Sequence, residues 1–397
     1  QVISQSSLSR GGFFVLQYNC SKERRSMKKI AIIGGGIIGM TLANYLDPQK
    51  FDITVYDEGL GQATKASAGI ISPWLSKRRN KKWYQLAREG AALFPKLVKD
   101  FQLTEDIYRQ SGTVILRPAA ALADLAHLAE ERKQTAPEIG EITMLSAVQT
   151  AKFLPLLKET PSLFISGGGR LDGPAYLNHL QKRAEAKGVT FCSQRAHFRQ
   201  LNQGWEIVTN SEKKSVDFLA LTPGPHLKEL LTTLNLSVDI RPQKGQLLVF
   251  ETPFTNSQQW PVAMLDGEAD LIPFNQGKIL LGATHENEQA WDLEETVSAF
   301  QQLTSGTAPF LKEAEQLFKQ PMHYRVGTRA YTSDFAPFFG PLPEMPHLVV
   351  ASGLGSSGLT TGPFIGYQLA EYFNTGAFKG ELYQKPLSQY VKNNPSL

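Results

Sequence analysis

Six consecutive residues, Gly34-Gly35-Gly36-Ile37-Ile38-Gly39, spell G-x-G-x-x-G and constrain this chain more than any other feature. They follow a buried-strand run, Ile30-Ala31-Ile32-Ile33. They open a helical pattern that sets Ile38, Leu42, Tyr45 and Leu46 on one face. A second strand, Phe51 to Tyr56, comes next. A strand, helix, strand unit this short imposes parallel pairing with a right-handed crossover. In that setting Gly34 permits the tight turn, Gly36 lets backbone approach a pyrophosphate, and Gly39 lets the helix pack on the strand. The helix N-terminus, with Ile37 and Ile38, offers N–H groups and positive dipole to phosphates. Asp57 closes the second strand where a carboxylate receives ribose hydroxyls, with Glu58 as its neighbour. The string reads as a dinucleotide site.

Further along, the pattern changes. Thr113–Leu116, Gln246–Phe250, Leu271–Phe274 and Ile279–Leu281 read as strands separated by turns, an antiparallel style. Helices are predicted over Ala121–Lys133 and from Pro174, with Leu177, Leu180 and Ala184 on one face. Val189–Cys192 reads as a strand with Cys192 buried. The first style returns with the strand Leu348–Ala351, a glycine-rich loop, and a helix presenting Ile365, Leu369, Tyr372 and Phe373. The expected fold class is α/β, a Rossmann-type dinucleotide domain with a second domain of mixed or antiparallel sheet. Residues 27–80, 163–235 and 323–397 are expected in the first, and 81–162 and 236–322 in the second.

Charge and cysteines narrow the function. Over 397 residues, 41 Lys+Arg stand against 37 Asp+Glu, a net +4 that does not advertise nucleic-acid binding. Cys20 and Cys192 cannot build a disulfide framework or a zinc site, which favours a reducing, cytoplasmic setting. The two long uncharged stretches, Ile30–Leu46 and Leu348–Ala370, are broken by glycines and read as turns feeding helices rather than membrane spans. Residues 1–26 are Ser-rich and basic, with no sustained periodicity, and are expected to form a leader outside the fold. The run Lys77 to Lys82 reads as a solvated loop or helix start.

Beyond the glycine string, Ala63-Thr64-Lys65-Ala66-Ser67-Ala68-Gly69-Ile70-Ile71-Ser72-Pro73 resembles the A-T-x-x-A-x-x-G-h-h-x-P stretch (h, apolar) of the D-amino-acid oxidase family of flavoproteins, which includes glycine oxidase, sarcosine oxidase and D-amino-acid dehydrogenases. Other segments follow that family in order: Ser111-Gly112-Thr113, Leu171-Asp172-Gly173-Pro174, Arg241 to Gln246, Pro273 to Thr284, Gly327-Thr328-Arg329 with Asp334 to Pro337, and Gly353 to Leu359. The resemblance runs from about residue 28 to 373.

It implies FAD as cofactor, held by the glycine string, Asp57, and the stretch Ala66, Ser67, Ala68, Gly69 and Ile70. Gly224 ends a strand where the family has A-t-G, here with Pro223 inserted. Gly353, Gly355, Ser356, Ser357, Gly358 and Leu359 form the loop that points N–H groups at the flavin's pyrimidine end, the logic of an oxyanion hole. Family members with covalent flavin use a C-terminal cysteine; this chain has none there, so the FAD is expected to be non-covalent. Arg329 falls where the family grips a substrate carboxylate, a task suited to a planar guanidinium. Asp270 is a departure, standing where glycine oxidase has a substrate-binding tyrosine. It either meets a cationic group of the substrate or faces solvent. His323 and Tyr324 are expected in core or surface rather than in the site.

The activity implied is oxidation of a small amine or amino acid by hydride transfer to flavin and imine hydrolysis, with oxygen or a quinone as electron acceptor. A 2-hydroxy-acid or polyol-phosphate dehydrogenase, a flavin domain acting on tRNA, and a non-catalytic FAD-binding protein are the alternatives.

Overall fold

The computed structural model describes residues 27–78, 80–267, 269–345 and 347–394; the predicted leader lies outside them. Two large sheets organise the molecule. The first has six strands in the order Phe338–Pro341, Leu348–Ser352, Phe218–Leu221, Lys28–Ile33, Phe51–Tyr56 and Thr190–Cys192. All neighbours in it are parallel except the first pair. Ile30 and Ile32 face one core cluster while Ala31 and Ile33 face another, so both sides of the sheet are covered. That is why its strands read as continuous apolar runs.

The helix Ile37–Tyr45 packs between the helices Gly173–Ala186 and Gly358–Thr375. Close approach to the second of these depends on a missing side chain. A β-carbon at Gly366 would lie 2.7 Å from the Ile38 carbonyl oxygen. Asp172 caps the helix Gly173–Ala186 by accepting from the Ala175 amide at 2.9 Å, with Pro174 in its first turn.

The second sheet has eight strands in the order Met322–Tyr331, Arg241–Glu251, Lys278–Gly282, Asp270–Pro273, Val262–Met264, Thr113–Ile115, Ser162–Ile165 and Ile142–Leu145. Its pairings are antiparallel except between Val262–Met264 and Thr113–Ile115. Burial alternates with the strand period of two. Leu247 and Val249 pack with Ile272 and Leu280 on one face, while Leu248 and Phe250 pack with Ile279, Leu281 and Leu303 on the other. Each fully buried side chain of this kind contributes about 1.5–3 kcal/mol.

The mixed α/β class expected from the sequence is the one observed, but sheet membership differs from the expected boundaries at two places. The strand Met322–Tyr331 belongs to the eight-stranded sheet, because it pairs with Arg241–Glu251 along its full length. Ser162–Ile165 also belongs there, paired to Thr113–Ile115. The expected boundaries at 323 and 163 thus cut strands whose partners lie far away in sequence. Cys192 is half-buried rather than buried, since its strand is the sheet's edge.

Candidate active site

A cavity of about 530 Å³ lies where the two sheets meet. It begins at the glycine turn. Gly34 has φ +108°, and a β-carbon there would lie 2.4 Å from the Thr222 carbonyl oxygen, so only glycine fits. Gly36 is the N-cap of the helix Ile37–Tyr45; no side chain caps it and its first turn carries no acid. The positive end of that helix therefore opens onto the cavity. The Thr64 hydroxyl accepts from the Ile37 amide at 3.1 Å and ties the 61–70 segment to the turn. Asp57 accepts from the Gly35 amide through Oδ2 at 2.5 Å and from the Gly59 amide through Oδ1 at 2.6 Å. A carboxylate offers about four lone-pair sites, so both oxygens keep capacity for ribose hydroxyls. Glu58 sits 3.9 Å from Arg195, which also pairs with Glu229.

Ile37, Ile38, Ala66, Ser67, Ala68, Gly69 and Ile70 continue the wall. On the far side come Gly224, Gly353, Gly355, Ser356, Gly358 and Leu359. The Ser352 hydroxyl donates to the Gly224 carbonyl at 2.8 Å and joins the two loops. Gly355 has φ +54°, and a β-carbon there would strike the Tyr331 ring at 2.4 Å. The donor-rich glycine turn, the open helix end and the acid at the second strand fit a dinucleotide, and this glycine loop, from the opposite end of the sequence, closes the cavity.

Two predicted cofactor residues do not line the cavity. Gly39 lies behind the turn, where a β-carbon would sit 2.0 Å from the Gly34 carbonyl oxygen; its role is helix packing. Ser357 turns away, donating to the Leu354 carbonyl at 3.0 Å and accepting from Trp83 Nε1 at 3.2 Å. The basic run does start a helix, Lys81–Ala92, capped by Asn80. Arg78 within it stacks 4.4 Å above the Trp83 ring and donates to Ser356 Oγ at 3.2 Å, a link to the loop that charge pattern alone did not reveal.

Arg329 stands on the cavity wall. It donates through one guanidinium nitrogen to Gln243 Oε1 at 3.1 Å and to the Thr284 carbonyl at 2.9 Å. Burial pushes its pKa below the guanidinium's ordinary value, opposed by the field of Tyr331 and Glu286. It remains a cation whose hydrogen-bond partners are neutral. Gly245 makes its position possible, because a β-carbon there would lie 2.6 Å from the guanidinium. Sequence reasoning quoted Gly245 only inside a motif. The available signal was a glycine interrupting an apolar strand, which marks close approach.

Asp270 lines the same cavity. It accepts from the Leu265 amide at 3.2 Å, and burial pushes its carboxyl up to about 7, with the Leu265 hydrogen bond and Arg117 pulling the other way. Trp291, whose ring packs tilted against His226 with centres 4.6 Å apart, and His285 also line the cavity and were not singled out from sequence. His323 is exposed, and Tyr324 donates to the Thr296 carbonyl at 3.1 Å; neither lines the cavity. Among the described residues no helix is long and apolar enough to cross a membrane, and no group of three metal-ligating side chains occurs.

Comparison with known proteins agrees with this geometry. Residues 29–372 match the DAO family, described as FAD dependent oxidoreductase. The uncharacterized oxidoreductase YurR of Bacillus subtilis (strain 168) is 35% identical over 356 residues, covering 87% of this chain and 94% of that protein. The glycine oxidase of Pseudomonas putida (strain KT2440) is 24% identical over 348 residues, covering 85% and 92%. The crystal structure of iminodiacetate oxidase from Chelativorans sp. BNC1 superposes with a TM-score of 0.83 at 27% identity, over 91% of this chain and 98% of that one. The chain is therefore an enzyme of the DAO family of FAD-dependent oxidoreductases.

Proposed function

We propose that this oxidoreductase acts on a small amine, most directly an amino acid: a D-amino acid, glycine or an N-methyl amino acid. The observation that carries the reading is Arg329, a half-buried cation with neutral hydrogen-bond partners on the wall of the cofactor cavity. A partly desolvated guanidinium without a direct ion pair is costly, and a substrate carboxylate bound bidentately would offset that. Relatives and neighbours named glycine oxidase and iminodiacetate oxidase support an amine substrate.

In this reading the eight-stranded sheet serves the substrate and the six-stranded layer serves the cofactor. Bound FAD, held without a covalent link, supplies the two-electron acceptor for hydride from the carbon next to nitrogen. Arg329 fixes the carboxylate and so orients that carbon. Gln243 and the Thr284 carbonyl hold the guanidinium in one rotamer. The imine product then hydrolyses in water to a keto acid and ammonia or an amine. We take oxygen or a quinone as the final acceptor, and the cytoplasm as the location on the strength of the two cysteines.

The test is anaerobic titration of the yellow protein with glycine, N-methylglycine, iminodiacetate and D-amino acids in turn. Bleaching by one of these, abolished at the same concentration in Arg329→Ala, is the expected result. Bleaching only by 2-hydroxy acids or polyol phosphates would replace the reading.

A further inference from the structure

Asp270 is unlike the other acids of the cavity. Asp57 spends its oxygens on the cofactor turn, and Glu58 faces Arg195. Asp270 begins the strand Asp270–Pro273 and pairs in register with Gly282, which has no side chain to cover it. Two residues beyond Gly282, the Thr284 carbonyl holds Arg329. Asp270 and Arg329 thus line one cavity, each reaching it from a strand of the same sheet.

The charges around Asp270 do not satisfy it. Arg117, the nearest cation, donates to the carbonyls of Leu116, Met264 and Leu265 and lies 3.6 Å from Asp266. Its charge is thus shared with another acid, and among the described residues no ion pair to Asp270 forms. Arg329 and His285 line the same cavity. The Leu265 amide occupies Oδ1 alone. A half-buried carboxylate with one backbone donor and no ion pair is costly unless a cation arrives.

We propose that Asp270 receives the substrate's ammonium group and takes its proton, so that Asp270 and Arg329 together read an amino acid as a zwitterion. This rests on the amino-acid reading above. The step balances: one N–H bond of the ammonium breaks, one O–H bond forms on Asp270, and the bonding pair stays on nitrogen. Neutral nitrogen then supports departure of hydride from the adjacent carbon, which an ammonium forbids. The elevated carboxyl suits the task, since an acceptor that titrates near neutrality is present as base and holds the proton once it has it. The substrate class narrows accordingly to amines that carry both a carboxylate and at least one N–H.

The test uses the FAD-loaded Asp270→Asn and Asp270→Glu variants. Whichever of glycine, N-methylglycine or D-alanine reduces the parent is the reducing probe, and propionate, a carboxylate without the amine, is the binding probe. Flavin absorbance reads both. In Asp270→Asn, propionate affinity stays within about twofold, whereas reduction at pH 7 slows by roughly 100-fold or more. That deficit shrinks as alkali frees the amine, because the substrate then arrives already neutral. Asp270→Glu restores part of the rate and shifts the acid limb of the pH profile.

An Asn variant with the parent's rate and pH profile overturns the proposal. So does a parallel loss of propionate and amino-acid binding, which marks a structural role. Should Asp270→Asn purify without flavin, an unshifted acid limb in Asp270→Glu overturns it alone. A parent reduced by none of the three amines overturns the amino-acid reading and the proposal with it. A parent reduced normally with an indifferent Asn variant overturns only the role of Asp270.

Discussion

Gly245 and Arg329 lie on adjacent strands of the eight-stranded sheet, and the guanidinium rests directly over the glycine, where a β-carbon would come within 2.6 Å of one nitrogen and 2.7 Å of the central carbon. The strand beneath the cation proposed to bind substrate is bare, and a side chain there would take the space the guanidinium fills. The hydrogen bonds from Arg329 to Gln243 and to the Thr284 carbonyl hold only while it stays there.

Gly245→Ala is therefore expected to displace the guanidinium while leaving the strand intact, since backbone pairing does not use the side chain. Carboxylate affinity, read from propionate titration of the flavin spectrum, falls by about 10- to 100-fold, corresponding to one or two lost charge-assisted hydrogen bonds. FAD content stays at the parent level. Unchanged propionate affinity would count against the assignment of Arg329.

Gly39→Ala tests packing rather than contact with the cofactor. Its β-carbon would overlap the Gly34 carbonyl oxygen at 2.0 Å, and backbone cannot move away as a side-chain tip can. Overpacking of this kind costs about 1–3 kcal/mol or more. Lower thermal stability together with loss of the yellow colour on purification is the expected outcome, although residue 39 lines no part of the cavity.

Asp270 also leaves a signature in stability. Its carboxyl titrates at about 7 in the folded protein and near 4 when unfolded, because burial disfavours the charge. Between those values the folded state binds more protons, so stability falls as pH rises through that window and the whole penalty is present above it. Asp270→Asn removes the penalty. Its thermal midpoint should exceed the parent's at pH 8, by an amount equivalent to about 4 kcal/mol at most, and converge with it near pH 4. A variant less stable than the parent at pH 8 would be the contrary result.

Asp334 gives the opposite sign. Burial alone would raise its pKa, but hydrogen bonds from Lys385 at 2.7 Å, Thr332 at 3.0 Å and Tyr390 at 3.0 Å more than reverse this and hold it below the usual carboxylate value. The stabilisation is present above the unfolded pKa and is lost as pH falls through the folded one. Asp334→Asn should cost about 1–3 kcal/mol at pH 7, with the difference from the parent fading in strong acid. Denaturant unfolding at pH 7 and in strong acid checks this.

The parts of the site that repeat locally were legible in the sequence. The glycine turn, Asp57 and the 353–359 loop each belong to one short stretch whose chemistry follows from spacing. Arg329 was legible only through resemblance to a family. The residues that hold Arg329, Gln243 and Gly245 on the neighbouring strand and Thr284 just past the end of another, are remote in sequence, and no period connects residue 245 to residue 329. The sheet membership of Met322–Tyr331 was illegible for the same reason, since the run before Arg329 carries no mark of which sheet it joins. Ser357 shows a further limit: the motif fixed its place in a loop, but a partner from another element, Trp83, decided which way it faced.

The six-stranded sheet also bears on how the chain is made. Its two neighbouring strands Lys28–Ile33 and Phe51–Tyr56 leave the ribosome early, yet the partner on the other side of Lys28–Ile33 is Phe218–Leu221, and Leu348–Ser352 must then dock beside that. At about 5–20 residues per second, the interval between the second strand and the last is on the order of tens of seconds. Throughout it an apolar strand edge stays unpaired, which makes nascent chains of this protein customers for holding chaperones. The glycine turn at 34–39 is made long before the loop at 353–358, so the two ends of the cavity wall come together only after every strand between them has emerged.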